Sequence, residues 1–476
     1  MRAPRILISF IYVLCCLHGG MDLLQNVTSP TTTIDHPICY YNAFYRQLPC
    51  TRWHLQTLTP LIHTMTQSVV TPSQLNPTER SISIRLALVF ALRMFGLFVV
   101  LPVLAPYALG LPLGFGFTNA PTPAQTGLAV GLAMGAYGLT QAFLYIPYGL
   151  ASDKWGRKPI ITVGLIIFAM GSFWAARADS IYGLAMARAL QGMGAISSVV
   201  VAMVADTTRT EVRTRAMAMI GMSIALTFAV SLIVGPILFD WVGMHGIFVL
   251  IGVLALLALL LIWSIPLTPL DSHHAPISSK KAMQLVLADR KLWLLNFGVF
   301  ILHAVQMAMW VVIPSRLLAL QLTHQQSTLL YLIVILISMA AMVPLIIRAE
   351  KYGKMFATMR LAVALIVLAQ ILLATQMGGV WVIAGALLVF FTGFNVLEAT
   401  QPSLLSKFTH PATKGAASGV YNTIQALGLF VGAMLGAWLN THWGITGLFV
   451  GTTIMALTWL GAHQVFSSHT HTSAQH

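Results

Sequence analysis

Charge is what this sequence has least of. Of 476 residues only 8% are Asp, Glu, Lys or Arg, while 57% are hydrophobic; soluble domains carry about 25% charged residues. A water-facing surface cannot be made from so few charges, which excludes a soluble enzyme and a disordered chain. Acids are the scarcer sign: 12 Asp and Glu stand against 26 Lys and Arg, for a formal charge of +14. That excess does not mark a nucleic-acid binder, because the basic residues fall in short loops between long apolar runs, as in membrane proteins. Cysteine is rare too. Cys15, Cys16, Cys39 and Cys50 are the full set, and no Cys-x-x-Cys occurs. There is no phosphate-cradling Gly-rich loop ending in Gly-Lys-Ser/Thr, so ATP is not used within this chain. His463, His469, His471 and His476 lack the spacing of a zinc site. No enzyme, metal, cofactor or nucleic-acid partner is expected.

What is present is apolar length. A spanning helix needs about 20 apolar residues. Twelve candidates occur: 86–109, 125–148, 159–177, 181–204, 215–238, 246–265, 292–318, 327–347, 356–376, 380–403, 415–439 and 444–466. The runs are continuous rather than alternating, which excludes a β-barrel. Pro102 and Pro106 inside the first run are of a kind that membrane helices tolerate. The expected fold class is an all-α membrane protein. Lys154, Arg157 and Lys158; Arg209, Arg213 and Arg215; Lys280, Lys281, Arg290 and Lys291; Arg348, Lys351 and Lys354; and Lys407 and Lys414 fall on one side. Only Arg177 and Arg316 fall on the other. Basic loops stay cytoplasmic, so both ends of the twelve-span unit are expected there.

Residues 1–81 read as a leader of different character. The run 6–17 behind Arg2 and Arg5 has the shape of a signal-peptide core, and an exported leader could hold a Cys39–Cys50 disulfide. A cleaved signal would turn every basic loop to the wrong side. The charges therefore favour a cytosolic leader or a true start at Met65, and the Asn26-Val27-Thr28 sequon reads as chance. The remaining divisions are 82–267 and 292–466 for two six-span bundles, 268–291 for a cytoplasmic linker and 467–476 for a polar tail.

The two bundles are related. Gly149-x-x-x-Asp153-Lys154-x-Gly156-Arg157-Lys158 joins spans 2 and 3; Glu350-Lys351-x-Gly353-Lys354 joins spans 8 and 9, 197 residues on. Acid, base, glycine and base recur, the mark of an internal duplication. The first copy is similar at every defined position to the loop 2–3 motif of the major facilitator superfamily. Arg188-Ala-Leu-Gln191-Gly192-x-Gly194 resembles that superfamily's second motif, and Gly235-Pro236 resembles the helix-bend element of its drug antiporters, without the extra glycines. Arg93-Met-Phe-Gly96, Leu101-Pro-Val-Leu104 and Tyr137-Gly-Leu-Thr-Gln141 are similar to YajR-type bacterial inner-membrane efflux proteins, here without their C-terminal soluble domain, the chain ending at His476. The resemblance implies two six-helix bundles with a path between them, a monomer, and alternating access.

The resemblance also implies that Asp153 latches onto the start of span 11, near Gly415, in the outward-facing state. Gly149 and Gly156 would allow a tight loop. Asp206, an acid at a helix C-terminus, needs a cation, and Arg157 is the candidate. The alternative is that these loop charges, with Lys154, Lys158, Glu350, Lys351 and Lys354, only fix topology. Within the spans the ionisable candidates are Arg93, Arg188, His303 and Glu398, because a charge at mid-bilayer costs at least about 2.5–3.5 kcal/mol. Arg93 has the alternative of snorkelling to the edge. Glu398, an acid inside a span, is the candidate proton carrier; the alternative is a structural hydrogen bond. His303 titrates near physiological pH when unperturbed or joins helices as a donor. Tyr137, Gln141, Gln191 and Asn395 are candidate cavity residues, with interhelical hydrogen bonding as the alternative. The expected function is proton-motive-force-driven efflux of a small apolar compound from the inner membrane, the partners being substrate, protons and lipid. Proton symport for uptake of a sugar or metabolite is the second reading; a receptor or channel is the third.

Overall fold

The computed structural model describes residues 74–472 except 115–121, 210–211, 267–278, 376–378 and 411–412. The expectations for the signal-like run, Cys39–Cys50 and Met65 lie outside the described residues, as do the side chains of the tail histidines. Every regular element described is helical. In order these are α1 (Pro77–Phe98), α2 (Leu101–Leu109), α3 (Pro123–Trp155), α4 (Arg157–Ala176), α5 (Ile181–Gly192), α6 (Ser197–Thr207), α7 (Arg213–Trp263), α8 (Ser279–Ala288), α9 (Arg290–Ala319), α10 (His324–Lys351), α11 (Met355–Thr375), α12 (Gly379–Phe408) and α13 (Lys414–Thr472).

Ten of the described helical stretches are long and apolar enough to cross a bilayer. Two of them cross twice. α7 has 51 residues and α13 has 59, lengths of roughly 75–90 Å at 1.5 Å per residue, against a bilayer core of about 30 Å. Each contains one residue with non-helical backbone, Gly243 at φ 64° and Gly444 at φ 65°, a region that glycine enters without steric penalty. The chain therefore folds as a twelve-span all-α membrane protein. The two turns share a pattern, Trp241-x-Gly243-x-x-Gly246 and Trp443-Gly444-x-x-Gly447, a second trace of the duplication that the loop motifs alone do not reveal.

Spans 1 and 4 are each broken. α1 stops at Phe98, whose carbonyl the missing amide of Pro102 leaves without its helical donor, and α2 continues the span. α5 and α6 divide span 4 after Gly192, where backbones crowd: a Cβ at Gly194 would lie 2.7 Å from the Gly164 carbonyl of span 3. The bundle begins ahead of residue 82. Asn76, Pro77 and Glu79 form a capping box that starts α1 at Pro77, with Glu79 Oε2 accepting from the Asn76 amide at 2.9 Å.

Spans 2 and 11 join the halves through small residues spaced by four. Added Cβ atoms at Gly131 and Gly135 would meet Ala437 at 2.5 Å and Ala433 at 3.1 Å, and Gly138 would meet the Ala426 carbonyl at 2.7 Å. This is close small-residue packing of antiparallel membrane helices. On its other side, span 11 lays Gly428 and Gly436 against Phe300 and Ala308 of span 7, with added Cβ atoms at 2.6 and 2.7 Å. The contact does not extend to the end carrying the basic loops. At Gly149, Gly415 and Gly419 an added Cβ would meet nothing within 4 Å. The opposite end is closed, with Phe239 of span 5 against His324 of span 8 at 5.3 Å between ring centres.

Candidate functional site

Two buried polar clusters and one surface network stand out. In the N-terminal half, α1, α3 and α5 bring Arg93, Tyr137 and Arg188 together. The guanidinium carbons lie 5.6 Å and 4.7 Å from the centre of the Tyr137 ring, within cation–π range. Both arginines are 1% exposed. Arg93 Nη1 donates to Ser197 Oγ at 3.1 Å. Turned with its amide oxygen inward, Gln141 accepts from Arg93 and, at 2.5 Å, from Tyr145 Oη. Arg188 Nη1 donates to Gln191 Oε1 at 2.6 Å, and Gln191 Nε2 donates to Ser172 Oγ at 2.7 Å. Arg93 therefore points into the bundle instead of snorkelling. The five N-half candidates, Arg93, Tyr137, Gln141, Arg188 and Gln191, form one cluster. Ser197 and Tyr145 belong to it as well and carried no sequence signal beyond being polar or aromatic in a span.

In the C-terminal half His303 of span 7 meets Glu398 of span 10, Nε2 to Oε1, at 3.3 Å. Gln425 of span 11 places Nε2 2.7 Å from the same ring nitrogen, and His303 Nδ1 lies 3.0 Å from the Val299 carbonyl. The carbonyl fixes the Nδ1 proton, so Nε2 is free to accept from Gln425 or, when protonated, to donate to Glu398. The Glu398 side chain keeps 31% exposure while its Oε1 is buried. Tyr421, one turn before Gln425, donates to Gln401 Oε1 at 3.1 Å. Gln425 and Tyr421 were not among the sequence candidates; a glutamine and a tyrosine four apart in an apolar run are the signal that would have found them. Asn395 is placed differently: its Nδ2 donates to Ser338 Oγ at 3.1 Å, tying span 10 to span 8 without a hydrogen bond to His303 or Glu398.

At the end carrying the basic loops, Gly156 has φ 90° and is the whole connection between α3 and α4. The turn sets Arg157 between two acids, Asp153 at 2.5 Å and Asp206 at 2.8 Å; Arg157 also donates to Ser152 Oγ at 2.6 Å. Lys158 turns away from that pair. Its ammonium donates to the Ile265 carbonyl, and Arg85 Nη1 donates to the Ser264 carbonyl at 2.6 Å. Two cations thus cap the C-terminus of span 6, where the helix leaves carbonyls unbonded. Lys154 lies over the Trp155 ring at 5.7 Å. A further pair was missed because it straddles the expected leader. Glu79 accepts from the Arg209 amide and Nε at 3.0 Å and from Nη2 at 3.1 Å, joining the start of span 1 to the loop after span 4.

The second copy of the loop is built differently. Gly353 turns at φ 65°, but Glu350, Lys351 and Lys354 are exposed, and none has an ion pair among the described residues. Gly235 lets span 5 lie against the break in span 1, an added Cβ there meeting Pro102 Cγ at 3.0 Å. Pro236 lines a small cavity at the closed end with Pro102, Pro106, Pro314, His324 and Tyr331. No cluster of metal ligands occurs among the described residues.

The family model described as Major Facilitator Superfamily matches residues 86–433. The chain belongs to that superfamily. Among superfamily relatives it is 40% identical over 391 residues to the inner membrane transport protein YajR of Escherichia coli K12, covering 81% of this chain and 83% of that one. It is 26% identical over 315 residues to the multidrug resistance protein MdtH of Aeromonas salmonicida, covering 64% and 76%. Its fold is similar to an inward-facing, unoccupied bacterial homologue of the human lysosomal transporter Spinster, with TM-score 0.65, 13% identity, and 83% and 98% coverage. As a superfamily member the chain is a secondary active transporter of small molecules, not an enzyme.

Proposed function

We propose that the chain exports small, largely apolar compounds across the bacterial inner membrane in exchange for protons, its two six-helix halves rocking as a monomer. The observation that carries proton coupling is the 3.3 Å approach of His303 to Glu398, with Gln425 on the same ring nitrogen. Two proton arrangements fit it. In one, neutral His303 accepts from Gln425 and Glu398 is protonated. In the other, His303 is protonated and donates to the Glu398 carboxylate, with the Gln425 amide turned over. Both hold one exchangeable proton; losing it leaves neutral His303 beside the Glu398 carboxylate and changes the pair's net charge by one, so helix packing can respond to proton uptake and release. The relatives' names, an inner membrane transport protein and a multidrug resistance protein, support location and export.

With the basic loops cytoplasmic, as the positive-inside rule requires, the open end faces inward. Asp153 is then latched to Arg157 alone and is available to engage the start of span 11 when that end closes. The test is purified protein in liposomes with a trapped pH dye and a panel of lipophilic dyes as substrates. Proton movement opposite to the dye is expected, and Glu398→Gln should stop it while dye-for-dye exchange continues. Protons moving with the dye would replace export by symport, and a dye leak insensitive to competing dye would refute a carrier.

A further inference from the structure

We infer that the transported compound carries an anionic group, a carboxylate or phosphate on an otherwise apolar body, and that Arg93 and Arg188 are its seat. This rests on the carrier reading above and names the substrate class. A guanidinium keeps its charge at physiological pH and has five donors, and burying it without a counter-ion is costly. Here two are buried beside one ring, and no carboxylate pairs with either among the described residues. Glu398 stands instead with His303 in the other half. Their neighbours are neutral: Ser197, Met94 and Gln141 for Arg93, Gln191 for Arg188. Three polar atoms remain buried with no acceptor or donor, Arg93 Nε, Arg188 Nε and Tyr137 Oη.

A carboxylate or phosphate supplies what all three lack. It carries the missing negative charge and offers several oxygens in the geometry guanidinium groups bind best. Aromatic surface for an apolar body lies further along span 1. Phe98, on the same helix as Arg93, stacks edge-on to Phe228 at 4.9 Å, and Phe228 reaches Phe394 of the other half at 5.8 Å. Both arginines are 1% exposed, so admitting the anion requires spans 1, 2 and 4 to shift within the N-terminal half, beyond the rocking of the two halves.

The experiment uses the full chain in detergent and three matched probes, naphthoate, naphthylmethanol and naphthylmethylammonium, read by binding titration and thermal unfolding. Naphthoate should bind wild type at least about tenfold tighter than the other two. Arg93→Gln and Arg188→Gln should each weaken naphthoate by about tenfold or more and leave naphthylmethanol unchanged. Should the Gln variants not fold, the wild-type series and Arg188→Lys decide, the latter keeping the preference for the anion at reduced affinity. Equal binding of the three probes to wild type, or naphthoate affinity unmoved by every Arg188 variant, would overturn the proposal. A protein that prefers naphthoate in detergent yet moves no protons against naphthoate or dye in liposomes sustains the anion seat and refutes proton-coupled export.

Discussion

Deep within the spans of the N-terminal half two guanidiniums flank a tyrosine, and among the described residues no carboxylate pairs with them; in the C-terminal half a histidine meets a glutamate, with the Gln425 amide on the same ring nitrogen. The contrast repeats at the surface. Loop 2–3 sets Arg157 between Asp153 and Asp206, whereas its copy exposes Glu350, Lys351 and Lys354 with no ion pair among the described residues. Two halves that descend from one unit thus keep the helix order and the glycine turns but divide the chemistry. Glycines are kept because their backbone angles are required by the fold. Side chains that only meet a neighbour are free to diverge once each half faces a different partner.

Substitutions can break or sharpen that contrast. The largest effect is expected at Glu398→Gln, where gradient-driven dye movement in liposomes should fall to background while the matched N-half change Gln141→Glu leaves coupling in place. Loss of coupling in neither would end the assignment of proton work to the C-terminal half. Next comes the packing of span 11 on span 7 within the C-terminal half. Gly432→Val on span 11 forces a side chain into the Ala304 backbone and should destabilise folding by about 1–3 kcal/mol, read as a lower unfolding temperature in detergent, whereas Gly415→Ala should be near neutral. The loop comparison is sharper in kind but smaller in energy. Asp153→Asn should lower the transport rate severalfold with normal insertion, and Glu350→Gln should not; equal effects would mean that both copies act alike. Smallest is Glu79→Gln, where three contacts from half-exposed Arg209 to a buried carboxylate weaken, with about 1–2 kcal/mol of stability lost and measurable by thermal unfolding.

The apolar runs, the twelve spans, the duplication, and the loops that carry charge were legible in the sequence, because a span's partition into lipid and a glycine's turn depend on local composition. Arg93, Arg188, His303 and Glu398 were legible for the same reason: a charge in an apolar run stands out wherever the run packs. Their partners did not stand out. Gln425 became the neighbour of His303, Ser197 that of Arg93, and Arg209 that of Glu79, while Lys158 left the expected gate to cap span 6. Asn395 bonded to span 8 rather than to its neighbours in sequence. Each of these pairings joins segments far apart in the sequence, and which faces meet is set by close packing at Gly131, Gly432 and similar positions. Hydropathy fixed what enters the membrane; only the tertiary packing of small residues decided which buried polar groups share a site.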